Sequence, residues 1–302
     1  MAATAAAALA LASATAGALT GAGGERALPR SQAEEPAAAP EPVALPRGGR
    51  EIFPRHRVVA YYGAPQDEEL GALGIGSPAS AASRLERQAR AYARPGRPVL
   101  PALELIAVIA NAHAGRDGMY RTRQEDRVIR RYLNAARRAK ALLLLDIQPG
   151  RSDFFTETTR LKKWLRQPDV GLALDPEWRV TAGQVPGQVI GRVSSREVNA
   201  TSAWLDQLAE REGLPEKLFV IHQFTDDMVD HTRLKRRDNL ATVLNVDGFG
   251  GREIKRAKYR RFAREAREFH PGFKLFYEED TNLMTPRQVM RMKPRPDLIV
   301  YE

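Results

Sequence analysis

Cysteine is absent from the 302 residues. That excludes disulfides, thiolate metal sites, a cysteine nucleophile and a lipidated N-terminal cysteine. The fold must be held by its core alone, which about 250 residues in one domain can supply. No Gly-x-Gly-x-x-Gly loop follows the first apolar run, so a dinucleotide is not expected. No Gly-x-Ser-x-Gly elbow is present to carry a serine nucleophile. The five histidines include no His-x-His or His-x-x-x-His pair. Nor is there a run of about 20 strongly apolar residues of the kind a stable membrane span needs.

The N-terminal fifty residues lack apolar periodicity and capping signals. Residues 2–24 are almost entirely Ala, Gly, Leu, Thr and Ser. The stretch Ala5–Ala12 resembles the h-region of a signal peptide, with small-x-small cleavage sites at Ala12-Ser13-Ala14 and Ala16-Gly17-Ala18. The basic n-region of such a signal is missing. Residues 1–24 are therefore read as a signal peptide-like segment, with the Ala-rich leader of a cytoplasmic protein as the alternative. The expected location is secreted or cell-envelope. Residues 25–50 are rich in Pro, Ala, Glu and Arg and read as a disordered linker. Residues 1–50 are expected to make no stable core contacts, and 51–302 to form the folded domain.

The formal net charge is +10, from 47 Lys and Arg against 37 Asp and Glu. A basic balance raises the question of nucleic acid. Here the basic residues, such as Arg127, Arg130, Arg131, Arg256 and Arg260, are spread along helix-like stretches. They read as solvated helix faces, with attraction to an anionic cell wall as a weaker reading. Nucleic acid is not an expected partner, and a monomer is expected.

Beyond residue 55 short apolar runs alternate with polar, helix-like stretches. The eight runs are Val58–Gly63, Val99–Leu105, Ala141–Ile147, Gly171–Asp175, Leu218–Phe224, Ala241–Asp247, Phe273–Glu278 and Leu298–Tyr301. Most lack strict polar alternation, as strands buried on both faces do. Thr122-x-x-Glu125 and Ser194-x-x-Glu197 read as capping boxes opening helices. Strand–helix alternation argues a parallel sheet. Eight strands in about 250 residues fit an α/β fold of the (β/α)8 TIM-barrel type, with a doubly wound open sheet as runner-up. No helix-like stretch follows the last run, so the segment around Glu51–Arg57 is a candidate to cover that gap.

Catalytic groups in such barrels sit at the C-terminal ends of the strands. Those ends offer Glu104 on the second run and Asp146 and Gln148 on the third. The fourth offers Asp175, Glu177 and Trp178, and the fifth His222 and Gln223. Asp247 ends the sixth, Tyr277, Glu278 and Glu279 follow the seventh, and Glu302 follows the eighth. Tyr61 and Tyr62 close the first run, so one of them faces the pocket and the other packs outward. A lone carboxylate at a strand end is easily a helix cap. Several in one mouth would raise one another's pKa values and separate acid from base roles. In the fourth run, Gly171, Ala173, Asp175 and Glu177 share one side. Two small residues below two carboxylates suit an inward row topped by a reactive pair. Trp178 beside them suits sugar stacking or a core position. His222 with Asp146, Asp175 and Asp247 could form a mixed nitrogen–oxygen metal site. Without a His pair, no metal ligand and no cofactor is assigned.

Gly171-Leu-Ala-Leu-Asp175-Pro-Glu177-Trp178 resembles the fourth-strand motif of family 18 glycoside hydrolases, Gly-x-Asp-x-Asp-x-Glu followed by an aromatic. Val243-Leu-Asn-Val-Asp247-Gly-Phe-Gly resembles that family's sixth-strand motif, which carries a Tyr-Asp pair. The resemblance implies that Glu177 is the general acid, that Asp175 orients a substrate N-acetyl group and that Asp247 helps hold it. Two positions depart from the motifs: Ala173 stands at the first aspartate and Val246 at the tyrosine. What carries over is a glycosidase-like barrel rather than a chitinase. A second glycosidase arrangement pairs an acid on the fourth strand with a nucleophile on the seventh, here Glu177 with Glu278 or Glu279. The expected function is a secreted glycoside hydrolase-like barrel acting on a polysaccharide or cell-wall glycan. The alternative is a non-catalytic glycan-binding or envelope-associated barrel.

Overall fold

The computed structural model describes residues 43–302, so the readings for residues 1–42 lie outside the described residues. Its strands are β1 (Arg57–Gly63), β2 (Val99–Ala110), β3 (Arg121–Arg123), β4 (Leu142–Ile147), β5 (Val170–Leu174), β6 (Lys217–Gln223), β7 (Leu240–Val246), β8 (His270–Leu275) and β9 (Leu298–Tyr301). The pairing order is β1-β9-β8-β7-β6-β5-β4-β2-β3, and β1 also pairs with β2. That second pairing closes eight parallel strands into a barrel. β3 lies outside it, antiparallel on the extended end of β2, with Val108 opposite Arg123. The helices are α1 (Pro78–Ala89), α2 (Asp126–Arg138), α3 (Phe154–Arg160), α4 (Lys162–Leu165), α5 (Ser195–Arg211), α6 (Arg252–Glu265) and α7 (Pro286–Val289). The β6–β7 connection carries only a 3-10 turn at His231–Arg233. The fold is the (β/α)8 barrel expected from the alternation. Among the described residues no helix is long and apolar enough to cross a membrane.

Strand alternation divides the core in two. Val59, Leu103, Leu143, Leu172, Phe219 and Ile299 point outward and pack in one buried cluster with helix residues such as Leu85, Ile129 and Leu205. Their neighbours Val58, Ala60, Leu100, Ala102, Leu144, Ala173, Val220, Val243 and Val300 fill the barrel. Small and large side chains mix there, as a packed interior of fixed diameter requires. Toward the C-terminal ends the same inward rows turn polar at Glu104, Asp146, Asp175, His222, Asn245 and Lys274, all buried.

Several expectations are corrected. The ordered body begins before Glu51. Leu45 is buried and joins Ile52 and Phe53 in the cluster that fills the barrel. Arg47 donates to Glu86 at 2.6 Å and to the Val99 carbonyl at 2.9 Å, and Arg50 donates to the Leu214 carbonyl at 2.9 Å. Composition hid this, because one buried leucine and two arginine clamps leave no periodic trace. The Thr122–Glu125 box does not form. Thr122 sits in β3 and accepts from Asn111 Nδ2 at 2.8 Å, and α2 starts at Asp126. At Ser194 the side chain does cap α5, accepting from Glu197 N. The seventh barrel strand, β8, begins at His270 and ends at Leu275, earlier than the run suggested. The strand includes Pro271 and Gly272, and Gly272 is needed there for close packing. A Cβ at that position would come within 2.7 Å of Asn245 Oδ1 and Val243 Cγ1.

Candidate functional site

A cavity of about 480 Å³ opens at the C-terminal ends of the strands. Tyr62, Gln148, Asp175, Glu177, Trp178, Asp247, Lys274 and Glu302 line it, with Ile106, Ile190, Phe224, Phe249 and Phe276 as apolar wall. A larger hollow of about 1090 Å³ lies on the outer flank between α1 and α2, beside Arg47, Glu86 and Arg138. It gathers no group of carboxylates, so the strand-end cavity is the better candidate.

The inward row of β5 supplies Ala173, then Asp175 just past the strand end. Pro176 opens a 3-10 turn, Pro176–Trp178, that carries Glu177 to the rim. Burial first, then the charges of Asp175 and Asp247, push the Glu177 carboxyl up to about 8, against the pull of Lys274. Asp175 is also raised, mainly by burial. Tyr62 bridges downward: its hydroxyl lies 3.3 Å from Asp146 Oδ2 and 3.5 Å from Asp175 Oδ2. Gln148 Nε2 donates to the Tyr62 oxygen at 3.0 Å, while Gln148 Oε1 accepts from Ala110 N at 3.1 Å. Burial, then Asp175, hold the Asp146 carboxyl well above the usual carboxylate range.

The opposite side of the floor is built on charge pairing. Lys274 Nζ donates to Asp247 Oδ2 at 3.2 Å and to Glu302 Oε2 at 2.6 Å, and lies 3.9 Å from the centre of the Tyr62 ring. Burial opposes a charge on Lys274, but Asp247 and Glu302 outweigh it and hold its pKa well above the usual lysine value. The ammonium is therefore no free amine nucleophile. Asp247 is resisted by burial in the same way, yet Lys274 and His222 hold it well below the usual carboxylate range. His222 spans the barrel axis, with Nδ1 2.8 Å from Asp247 Oδ2 and Nε2 3.0 Å from Glu104 Oε1. Burial lowers its pKa, but hydrogen bonds to Asp247 and Glu104 raise it well above the ordinary value.

Among the residues singled out from sequence, Tyr62, Gln148, Trp178, Asp175, Glu177 and Asp247 line the cavity. Glu104, Asp146 and His222 lie beneath its floor, fully enclosed. Four do not reach it. Tyr61 packs in the outer cluster, edge-on to Tyr277 and Tyr301. Tyr277 donates to the Tyr61 hydroxyl at 3.2 Å and stacks on Tyr301. Gln223 shares the outward side of β6 with Phe219 and Ile221. Glu278 is exposed in the turn after β8, while its neighbour Glu279 does touch the cavity. Lys274, Asn245 and Phe276 were not among the residues picked for the site, whereas Glu302, the carboxylate after the eighth run, does line the cavity. A lysine inside the apolar run Phe273–Glu278 was the available signal for Lys274.

Fold and site together define a (β/α)8 barrel with a carboxylate-rich pocket at the strand C-termini. No protein-family model matches the chain, and no curated protein matches it. Among solved structures it is similar to a sialic acid aldolase catalytic lysine mutant from Ruminococcus gnavus. That likeness has 12% identity, a TM-score of 0.41, and coverage of 84% of this chain and 69% of that one. It is also similar to a GH18 chitinase from Pseudoalteromonas aurantia, at 9% identity and a TM-score of 0.41, covering 81% of this chain and 93% of that one. The two differ in chemistry, and neither assigns one to this chain.

Proposed function

We propose that the protein is a glycoside hydrolase-like barrel acting on a polysaccharide or cell-wall glycan, with Glu177 as general acid. The observation that carries the reading is the setting of Glu177. It stands at the rim of an apolar-walled cavity beside Trp178, with its carboxyl pushed up to about 8 by burial and by Asp175 and Asp247. A carboxyl kept protonated near neutral pH can donate to a leaving oxygen. Asp175 lies two residues earlier, just past the end of β5, where it can orient a polar substituent of the sugar. Trp178 offers a stacking face, and Phe224, Phe249 and Phe276 exclude water around the ring. The test is a polysaccharide hydrolysis screen with Glu177→Gln as control.

One observation favours a second reading, a barrel that binds glycan without cleaving it. Both oxygens of Asp247 are engaged by the protein: Oδ1 accepts from Gly248 N at 2.6 Å, and Oδ2 faces His222 and Lys274. Asp247 is then a support of the floor more than a substrate ligand. Glycan binding by wild type and Glu177→Gln alike, with cleavage by neither, would establish this reading.

The location we propose is extracytoplasmic. The support is the Ala/Leu segment with its small-x-small sites at Ala12-Ser13-Ala14 and Ala16-Gly17-Ala18. Mass spectrometry of the mature N-terminus in the culture medium tests it. We also propose a monomer, tested by light scattering.

A further inference from the structure

We propose that Glu104, Asp146 and His222 form a divalent transition-metal site beneath the pocket floor. The inference is independent of the glycan reading. One ligand atom from each of the three lies within 4.8 Å of the others. His222 Nε2 is 3.0 Å from Glu104 Oε1 and 4.0 Å from Asp146 Oδ1. Glu104 and Asp146 have 0% exposure and His222 1%.

The second observation is a set of orphaned acceptors. Glu104 Oε2 and Asp146 Oδ1 are buried with no hydrogen-bond partner. A buried acceptor without a donor is destabilising, and more so when it is charged. Two such oxygens on neighbouring strands, where Ile106 pairs with Asp146, call for something positive between them. Apart from His222 itself, whose Nε2 lies 4.0 Å from Asp146 Oδ1, the nearby protein groups do not supply it. Lys274 is spent on Asp247 and Glu302. The Gln148 amide goes to Tyr62. His222 offers at most Nε2–H, at 3.0 Å from Glu104 Oε1 rather than the orphaned Oε2.

The arrangement also has the outer support that metal-bound imidazoles use. Asp247 Oδ2 lies 2.8 Å from His222 Nδ1, so a proton held there fixes the ring and aims Nε2 at the two carboxylates, where a bound ion would take the place of the Nε2 proton. One imidazole with two carboxylates suits Zn²⁺, Mn²⁺ or Fe²⁺, and the cysteine-free chain offers no soft thiolate to compete. Tyr62 touches Asp146 Oδ2 from the cavity side, so the ion would lie directly under the substrate floor without needing to touch substrate. Its work would be to neutralise the floor and hold Tyr62 and Asp175 in place.

The experiment is metal analysis of the full chain purified without chelators or metal-affinity resin, followed by stripping with EDTA and titration with Zn²⁺, Mn²⁺ and Mg²⁺ alone. The expected result is about one transition-metal ion per chain. The melting temperature should fall on stripping and recover with Zn²⁺ or Mn²⁺ but not Mg²⁺. His222→Gln should abolish both the bound ion and the recovery. Should that variant fail to fold, Glu104→Gln and Asp146→Asn, which keep shape, provide the same comparison. A wild-type chain that carries no stoichiometric ion and whose melting no added ion changes would overturn the proposal. So would full metal content retained in the folded variants. Neither readout involves glycan, so this proposal and the glycosidase reading fail separately.

Discussion

Lys274 Nζ sits between Asp247 Oδ2, at 3.2 Å, and Glu302 Oε2, at 2.6 Å, with only 3% of the residue exposed. The ammonium thus joins the sixth and eighth barrel strands across the seventh. Removing one member of a buried ion pair leaves the other charge uncompensated, which costs about 3–5 kcal/mol. Lys274→Met should lower stability by about that amount in a denaturant titration. Lys274→Met combined with Glu302→Gln should lose less than the sum of the single changes, because the two share one interaction. Strict additivity would mean that the bridge contributes little.

Glu177 sets a pH dependence of stability. Its folded pKa of about 8 lies above the ordinary glutamate value of 4.5, so the folded state binds this proton more tightly than the unfolded chain. The stability associated with that proton is fully present below pH 4.5 and is lost as pH rises toward 8. Glu177→Gln cannot ionise. Its stability relative to wild type should therefore rise across that window, read from urea midpoints at several pH values. A constant difference would place Glu177 at an ordinary pKa.

Glu157 works in the opposite sense. Its fully buried carboxylate accepts from Arg121 at 2.9 Å, Arg123 at 2.6 Å and Ser152 at 2.6 Å, tying β3 to the start of α3. Burial would raise its pKa, but the hydrogen bonds from Arg123, Ser152 and Arg121 hold it below the ordinary value. The stability it adds is present above its unfolded pKa and is lost as pH falls through the folded one. Glu157→Ala should cost about 3–5 kcal/mol. It should also speed amide exchange in Arg121–Arg123. Unchanged exchange there would mean that β3 is held by its pairing with β2 alone.

Leu45 tests where the folded body starts. It is 3% exposed and packs with Ile52 and Phe53. Leu45→Ala should cost about 2–3 kcal/mol. A change under about 0.5 kcal/mol, as at an ordinary surface position, would return this segment to the linker.

The barrel was legible because strands covered on both faces become continuous apolar runs, and eight such runs are visible from Val58 to Tyr301. The inward row of Ala173 and Asp175 was legible from the period of two. What periodicity could not say is which of Tyr61 and Tyr62 faces inward, since both are amphipathic and either assignment keeps the alternation. Long-range pairing decided the rest. Gly272 fits against Asn245 only in the assembled sheet, which moves β8 toward its Pro-Gly start and puts Lys274, not Glu278, on the pocket floor. The Thr122 box lost to a cross-strand contact with Asn111 that only the hairpin brings into reach.

The most direct test of the central claim is turnover by wild type and Glu177→Gln on a broad panel of polysaccharides and cell-wall glycans, followed by release of reducing ends. General acid catalysis contributes about 10²–10⁴-fold. The account predicts that wild type cleaves at least one glycan, that Glu177→Gln is slower by about that factor with sugar affinity nearly unchanged, and that wild-type activity declines as pH rises through about 8. Undiminished turnover by Glu177→Gln on the same glycan would contradict it.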